Sequence, residues 1–262
     1  MKENAVKRKL ARGELVAGAF LVEFSSLGIP RMLAAAEAEF VVFDQEHTGW
    51  SIETLKPLIS GSHAAGIVPI VRVPATAPHL IAAALDAGAL GVLVPTVESR
   101  EQAEGFVAAA KYPPQGRRGF GPLYADEFDA DVTATMQRIN REQLLLAMVE
   151  TAAGVEHVDE IAAVDGIDVL WIGHGDLTSS LGVPGQYDNP LYLEAVERIV
   201  TAGKRSGKPV GMLATSADDG RQLAERGFRC IGFGDRPLYE RALHEAHAAA
   251  RAGAGKHQEE KQ

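Results

Sequence analysis

Eight short apolar runs, separated by longer amphipathic stretches, constrain this sequence more than any other feature. The runs are Val16–Val22, Phe40–Phe43, Val68–Val73, Gly91–Pro95, Leu144–Val149, Val169–Ile172, Pro209–Leu213 and Cys230–Phe233. They are rich in Val, Ile and Leu and do not alternate apolar with polar. Strands buried on both faces read this way, because both sides meet apolar neighbours. The stretches between them read as helices. Ile52–Ala65 follows the N-cap Ser51, and Ser99–Lys111 opens on its own cap. Pro78–Ala87, Leu191–Arg205 and Ser216–Arg226 each run to a glycine stop, at Gly88, Gly207 and Gly227. Alternation repeated this often predicts a parallel sheet closed into a (β/α)8 TIM barrel; an open doubly wound sheet is the competing architecture. The chain is read as one barrel domain, 1–262, with a frayed polar tail at 253–262.

Composition narrows the function. The chain carries a net charge of −9 and has no basic run, which excludes a nucleic-acid partner. Its one basic pair, Arg117–Arg118, stands between Gly116 and Gly119 and suits a small anion. Cys230 is the only cysteine, so no disulfide forms within the chain. No apolar stretch reaches the roughly 18 residues of a membrane helix. Met1–Arg12 is charged and lacks a signal-peptide core. These features predict a cytoplasmic protein that does not engage membranes. Pro113–Thr135 breaks the rhythm and is expected to be a functional or mobile loop with room for a short helix.

In a parallel barrel, chemistry collects where strands end. Strand two ends in Asp44-Gln45-Glu46-His47, strand three in Arg72, strand four in Pro95-Thr96-Val97-Glu98, strand five in Glu150 and strand six in Gly173-His174-Gly175-Asp176. Glu150 and Asp176 close neighbouring strands, and oxygen ligands alone suit a hard divalent ion. Asp176 is equally placed to cap the following helical turn. Asp44 beside His47 is the pattern of a carboxylate fixing an imidazole's tautomer for base catalysis, although a lone His is more often structural. Arg72 leaves an apolar strand and needs an anion, either Glu46 or Asp44 or a substrate carboxylate or enolate. Gly173-His174-Gly175 reads either as an anion-binding turn or as a simple tight turn. Gly232-Phe233-Gly234 reads as barrel packing. His63, His79, His157, His244 and His247 lie on helical stretches and are expected to be solvated.

These segments, together with Leu85-Asp86-Ala87-Gly88-Ala89 and Gly116-Arg117-Arg118-Gly119, resemble the HpcH/HpaI aldolase family from about Gly18 to Leu243. The resemblance implies a metal-dependent pyruvate aldolase on a (β/α)8 barrel, assembled as a homo-hexamer, a dimer of trimers, with its last helix swapped. It implies Mg²⁺, Mn²⁺ or Co²⁺ held by Glu150 and Asp176. It further implies a 2-keto acid, pyruvate or hydroxypyruvate, as donor and an aldehyde as acceptor. His47 and Asp44 match the proton-transfer pair, and Arg72 matches the arginine that stabilises the enolate. Asp86 matches a catalytic acidic residue near a subunit boundary. The amides of Gly173, His174 and Gly175 match the carboxylate cradle. Two positions depart from the family pattern: Met148 replaces a common Gln, and His174 a common Pro. Both point to a different substrate preference, with long acceptors meeting the loop Phe120–Phe128. No Lys stands at an assigned strand end, so no Schiff base is expected. The rival readings are a CoA-ester lyase of the citrate lyase beta or malyl-CoA lyase type, and a non-catalytic keto-acid-binding barrel.

Overall fold

The structure, a computed structural model, describes residues 3–121 and 131–259, with side chains to residue 252. Its strands are β1 (Val16–Leu21), β2 (Phe40–Asp44), β3 (Val68–Arg72), β4 (Gly91–Val94), β5 (Leu144–Val149), β6 (Val169–Ile172), β7 (Val210–Ala214) and β8 (Cys230–Gly234). They pair in parallel in chain order, and β8 returns to β1 to close the barrel. Every strand lies within one residue of its expected position. The open-sheet alternative is thereby excluded.

The helices are α1 (Ala5–Ala11), α2 (Ile29–Ala35), α3 (Ile52–Ala65), α4 (Pro78–Asp86), α5 (Arg100–Ala110), α6 (Val132–Glu142), α7 (Ala152–Glu156), α8 (Val158–Ala162), α9 (His174–Ser180), α10 (Pro190–Ser206), α11 (Ala217–Glu225) and α12 (Asp235–Glu259). The serine caps act as expected: Ser51, Ser99 and Ser216 accept hydrogen bonds from the amides of Thr54, Gln102 and Asp219. Gly207 ends α10 in the left-handed conformation, at φ 69°.

Three features differ from the sequence reading. Helix α6 begins at Val132, inside the expected loop Pro113–Thr135. Its buried face is Thr135, Ile139, Asn140 and Glu142, too polar to register as an apolar stripe. Residues 122–130 of that loop, which include most of Phe120–Phe128, lie outside the described residues. Helix α12 continues past Ala252 to Glu259, where fraying was expected. The charged N-terminus forms α1, whose Val6 and Leu10 join the barrel's interior.

Strand parity separates two cores. Inward-facing residues such as Phe20, Phe40, Val42, Ile70, Leu146 and Trp171 fill the barrel, while their neighbours, including Val41, Phe43, Val71 and Ala147, pack outward against the helices. Trp171 occupies the interior because β7 and β8 offer glycine there. A Cβ on Gly211 would stand 2.6 Å from the indole, and one on Gly232 3.2 Å. The barrel is a packed core, closed beneath its upper rim. Among the described residues, no helix is long and apolar enough to cross a membrane.

Candidate active site

The rim follows from the same parity. On β2, inward Phe40 and Val42 are succeeded by Asp44; on β3, Val68 and Ile70 by Arg72. Leu144, Leu146 and Met148 on β5 lead to Glu150, and Val169 and Trp171 on β6 lead to Gly173. Each polar residue is the next inward position above an apolar layer, so the fold turns them all toward one mouth.

Asp44 and Arg72 are register partners on adjacent strands. They form a buried two-pronged pair: Arg72 Nε donates to Asp44 Oδ1 at 2.7 Å and Nη2 to Oδ2 at 2.8 Å. Arg72 Nη1 lies 3.2 Å from Glu46 Oε2, and the guanidinium rests 4.9 Å above the centre of the Phe20 ring. Both acidic partners considered from the sequence are therefore engaged. The same Asp44 carboxylate accepts the amides of Glu46 at 2.9 Å and His47 at 3.2 Å, shaping the turn after β2. Its contact with His47 is with the backbone. The expected pairing of Asp44 with the imidazole is not formed, because Arg72 and the two amides occupy both carboxylate oxygens. The ring instead projects into solvent, with Nε2 3.7 Å from Glu46 Oε2. The sequence reading treated Glu46 only as a partner for Arg72, and its place beside the imidazole went unread.

Glu150 is 3% exposed. Burial, reinforced by Asp176 and Glu46, pushes its carboxyl up to about 7. Burial also raises Glu46, against the pull of Arg72 and His47. Glu150 Oε1 accepts from the Thr96 amide at 2.7 Å and the Thr96 hydroxyl at 3.1 Å. Its Oε2 lies over Gly173, where a Cβ would come within 2.2 Å. Asp176 sits in the first turn of α9; the cap of that helix is Gly173, and no side chain caps it. The capping alternative for Asp176 is not what the structure contains. Among the described residues, no three His, Cys, Asp or Glu side chains converge as a complete metal-binding set. Glu150, buried, and Asp176, exposed in the first turn of α9, still fit a hard divalent ion, which takes one or two carboxylates and leaves its other positions to water and substrate.

His174 is held in an aromatic row, its ring 5.4 Å from Tyr187, which is 5.7 Å from Tyr192. Burial lowers the His174 imidazole against the pull of Asp219 and Asp176. Met148 is buried, and its Sδ lies under Gly173.

Asp86 does not join this group within one chain. It ends α4, just before β4, and so stands at the opposite end of the barrel. There it pairs with Arg118, whose guanidinium also stacks 4.8 Å from the Tyr112 ring centre. Arg118 is thus a buried structural cation, not the open anion site expected of the Arg117–Arg118 pair. His63 and His157, expected to be solvated, bond to the carbonyls of Gly88 and Ala153. At the upper rim, Asp235 accepts the amides of Val22, Glu23, Phe24 and Arg236, tying the end of β1 to α12. A strand-ending Asp before a helix was the available signal for this tie.

Comparison with known proteins agrees with this geometry. The 5-keto-4-deoxy-D-glucarate aldolase of Escherichia fergusonii is 33% identical over 234 residues, 88% of this chain and 90% of that enzyme. An HpcH/HpaI aldolase/citrate lyase family protein from Burkholderia cenocepacia J2315 superposes with a TM-score of 0.89 at 32% identity, over 95% of this chain and 99% of that one. Citrate synthase SbnG superposes with a TM-score of 0.86 at 32% identity, over 95% and 98% of the two chains. The model of the family described as HpcH/HpaI aldolase/citrate lyase matches residues 21–236. The chain belongs to the HpcH/HpaI aldolase/citrate lyase family and is a carbon–carbon lyase of the aldolase type.

Proposed function

We propose that this aldolase, of a divalent-metal-dependent class, draws its nucleophile from pyruvate or hydroxypyruvate and joins it to, or releases it from, a hydroxylated aldehyde. The observation that carries the reading is the mixed rim: the acids Glu150 and Asp176 beside the fixed cation Arg72 and the solvent-facing imidazole of His47. Glu150 and Asp176 would hold Mg²⁺, Mn²⁺ or Co²⁺, which when bound supplies Lewis-acid polarisation of the donor's keto group.

The chain's own groups do the rest. His47 takes a proton from the donor carbon, directly or through water, at the ring that Glu46 flanks. Asp44 acts as a positioning residue, holding both the turn that carries His47 and the guanidinium of Arg72. Clamped on one side, Arg72 keeps N–H groups for the negative charge that develops on the donor oxygen. The amides of Gly173, His174 and Gly175 are proposed to receive the donor carboxylate. His174, steadied by Tyr187, offers a ring nitrogen to a hydroxylated acceptor, and the name of the E. fergusonii relative supports a sugar-acid-derived substrate of this kind. No Lys stands at the upper end of any strand, in keeping with chemistry that needs no Schiff base.

We propose a homo-hexamer in the cytoplasm. Helix α12 is 25 residues long and largely exposed, and it borders an apolar groove of about 460 Å³ lined by Phe24, Leu33, Phe233, Leu238 and Tyr239. A partner's copy would cover both. Asp86 is assigned to the catalytic machinery only through such a partner.

The test is NMR of pyruvate methyl hydrogen exchange in D₂O with Mg²⁺, Mn²⁺ or Co²⁺. Metal-dependent exchange, lost in Glu150→Ala, is the expected result; no exchange with any of the three metals refutes the reading. Similarity to a citrate synthase favours one second reading, chemistry on a CoA thioester. Thiol release from acetyl-CoA and oxaloacetate, without pyruvate exchange, would select it.

A further inference from the structure

Thr96 has a φ of 53°, one of two positive values at non-glycine residues among those described. A β-branched side chain is disfavoured there, because its Cβ crowds the neighbouring backbone. Such strain persists only where the surroundings over-determine it, and it collects at functional sites. The surroundings here are specific. The Thr96 amide donates to Glu150 Oε1 at 2.7 Å, and the next amide, that of Val97, donates to the Met148 carbonyl at 3.0 Å. In an extended strand, successive amides point to opposite sides. Here both face the end of β5, and the left-handed turn at Thr96 makes that possible. Val97 is fully buried, so the segment cannot relax outward.

The Thr96 side chain adds a second bond to the same oxygen, from Oγ1 to Glu150 Oε1 at 3.1 Å. Oε1 is thereby taken by two donors. Oε2 receives none among the described residues and lies over the bare Cα of Gly173. Glycine or asparagine would occupy this backbone conformation at less cost, but glycine has no hydroxyl to offer. Threonine accepts strain and supplies the donor.

We propose that Thr96 is a positioning residue that locks Glu150 so that one oxygen, Oε2, is presented to the cation. This rests on the metal-binding reading of Glu150. Glu150 would then offer the ion one oxygen, Oε2, the other being held by Thr96.

The experiment is Mn²⁺ binding to the purified full chain, read by the electron paramagnetic resonance of free Mn²⁺, with thermal melts of the same metal-free samples. Thr96→Val should raise the Mn²⁺ dissociation constant about tenfold, while Thr96→Ser, which keeps the hydroxyl, stays within about twofold of wild type. Thr96→Gly should lose affinity like Thr96→Val yet melt no lower than wild type, because it relieves the strained φ. A Thr96→Val protein, or the Thr96→Gly protein should Thr96→Val not fold, that binds Mn²⁺ within about twofold of wild type overturns the proposal. A wild type that binds no Mn²⁺ overturns the metal reading itself, and this proposal with it.

Discussion

At the lower end of the barrel, Asn4 is fully buried and uses its whole amide. Its Nδ2 donates to the carbonyls of Leu90 at 3.1 Å and Glu142 at 2.9 Å, and its Oδ1 accepts the Lys7 amide at 3.0 Å. Lys7 Nζ in turn meets Asp168 at 2.9 Å and the Gln143 carbonyl at 2.6 Å. At the upper end, Glu150 is just as inaccessible, yet only one of its oxygens has donors, and Asp176 and Glu46 crowd it. Both ends bury polar groups. The lower one satisfies Asn4 and Lys7 internally; the upper one leaves Glu150 Oε2 without a donor among the described residues. The first arrangement is that of a stabilising element; the second is the kind found at functional sites.

Three substitutions test that contrast. The largest effect belongs to Glu150→Gln. It should reduce metal-dependent pyruvate exchange by more than about 100-fold, since loss of the proposed ligand would exceed loss of a supporting group. The metal-free variant should nevertheless be more stable than wild type by about 1–2 kcal/mol in urea melts, because a crowded buried charge is gone. A destabilised Glu150→Gln would mean the upper end is as self-sufficient as the lower.

Asn4→Ala should have the opposite signature. Loss of its buried bonds should cost about 2–3 kcal/mol of stability, with the exchange rate per folded molecule unchanged. A matching loss of exchange would show that the two ends are not independent.

The smallest effect concerns Lys111. Burial, helped by Lys7, brings its ammonium down to about 7 from an ordinary 10.5. Between those values the unfolded chain binds more protons than the folded one, so stability rises with pH across this window. Relative to Lys111→Met, wild type should gain about 2 kcal/mol from pH 7 to pH 9 in chemical denaturation. A flat difference would show that Lys111 Nζ, which donates to the Asn140 and Gln143 carbonyls, stays charged throughout.

The barrel was legible because both-face burial writes continuous Val, Ile and Leu runs, and these need no knowledge of partners. The rim was legible for a related reason: a polar residue just after such a run has nowhere else to point. What depended on pairing was not legible. Asp44 stands three residues from His47, but its side chain follows β-strand parity to Arg72, across the sheet. Asp86 was placed with the catalytic group through family resemblance, although its position at the end of a helix before β4 already assigned it to the lower end. A backbone angle such as that of Thr96 leaves no mark in a residue pattern. Helix α1 escaped notice because seven residues with two buried apolar positions are too short to display a period.

Trp171, seated against Gly211 and Gly232, has a kinetic consequence. With the interior filled and α1 across the lower end, the described residues leave the rim as the way in. On the proposed mechanism the keto acid would lodge deepest, against Glu150 and Arg72, and so would enter before the aldehyde and leave after it on cleavage. The order of a two-substrate reaction would then be set by the bulk of one indole and by the absence of two side chains that would have displaced it.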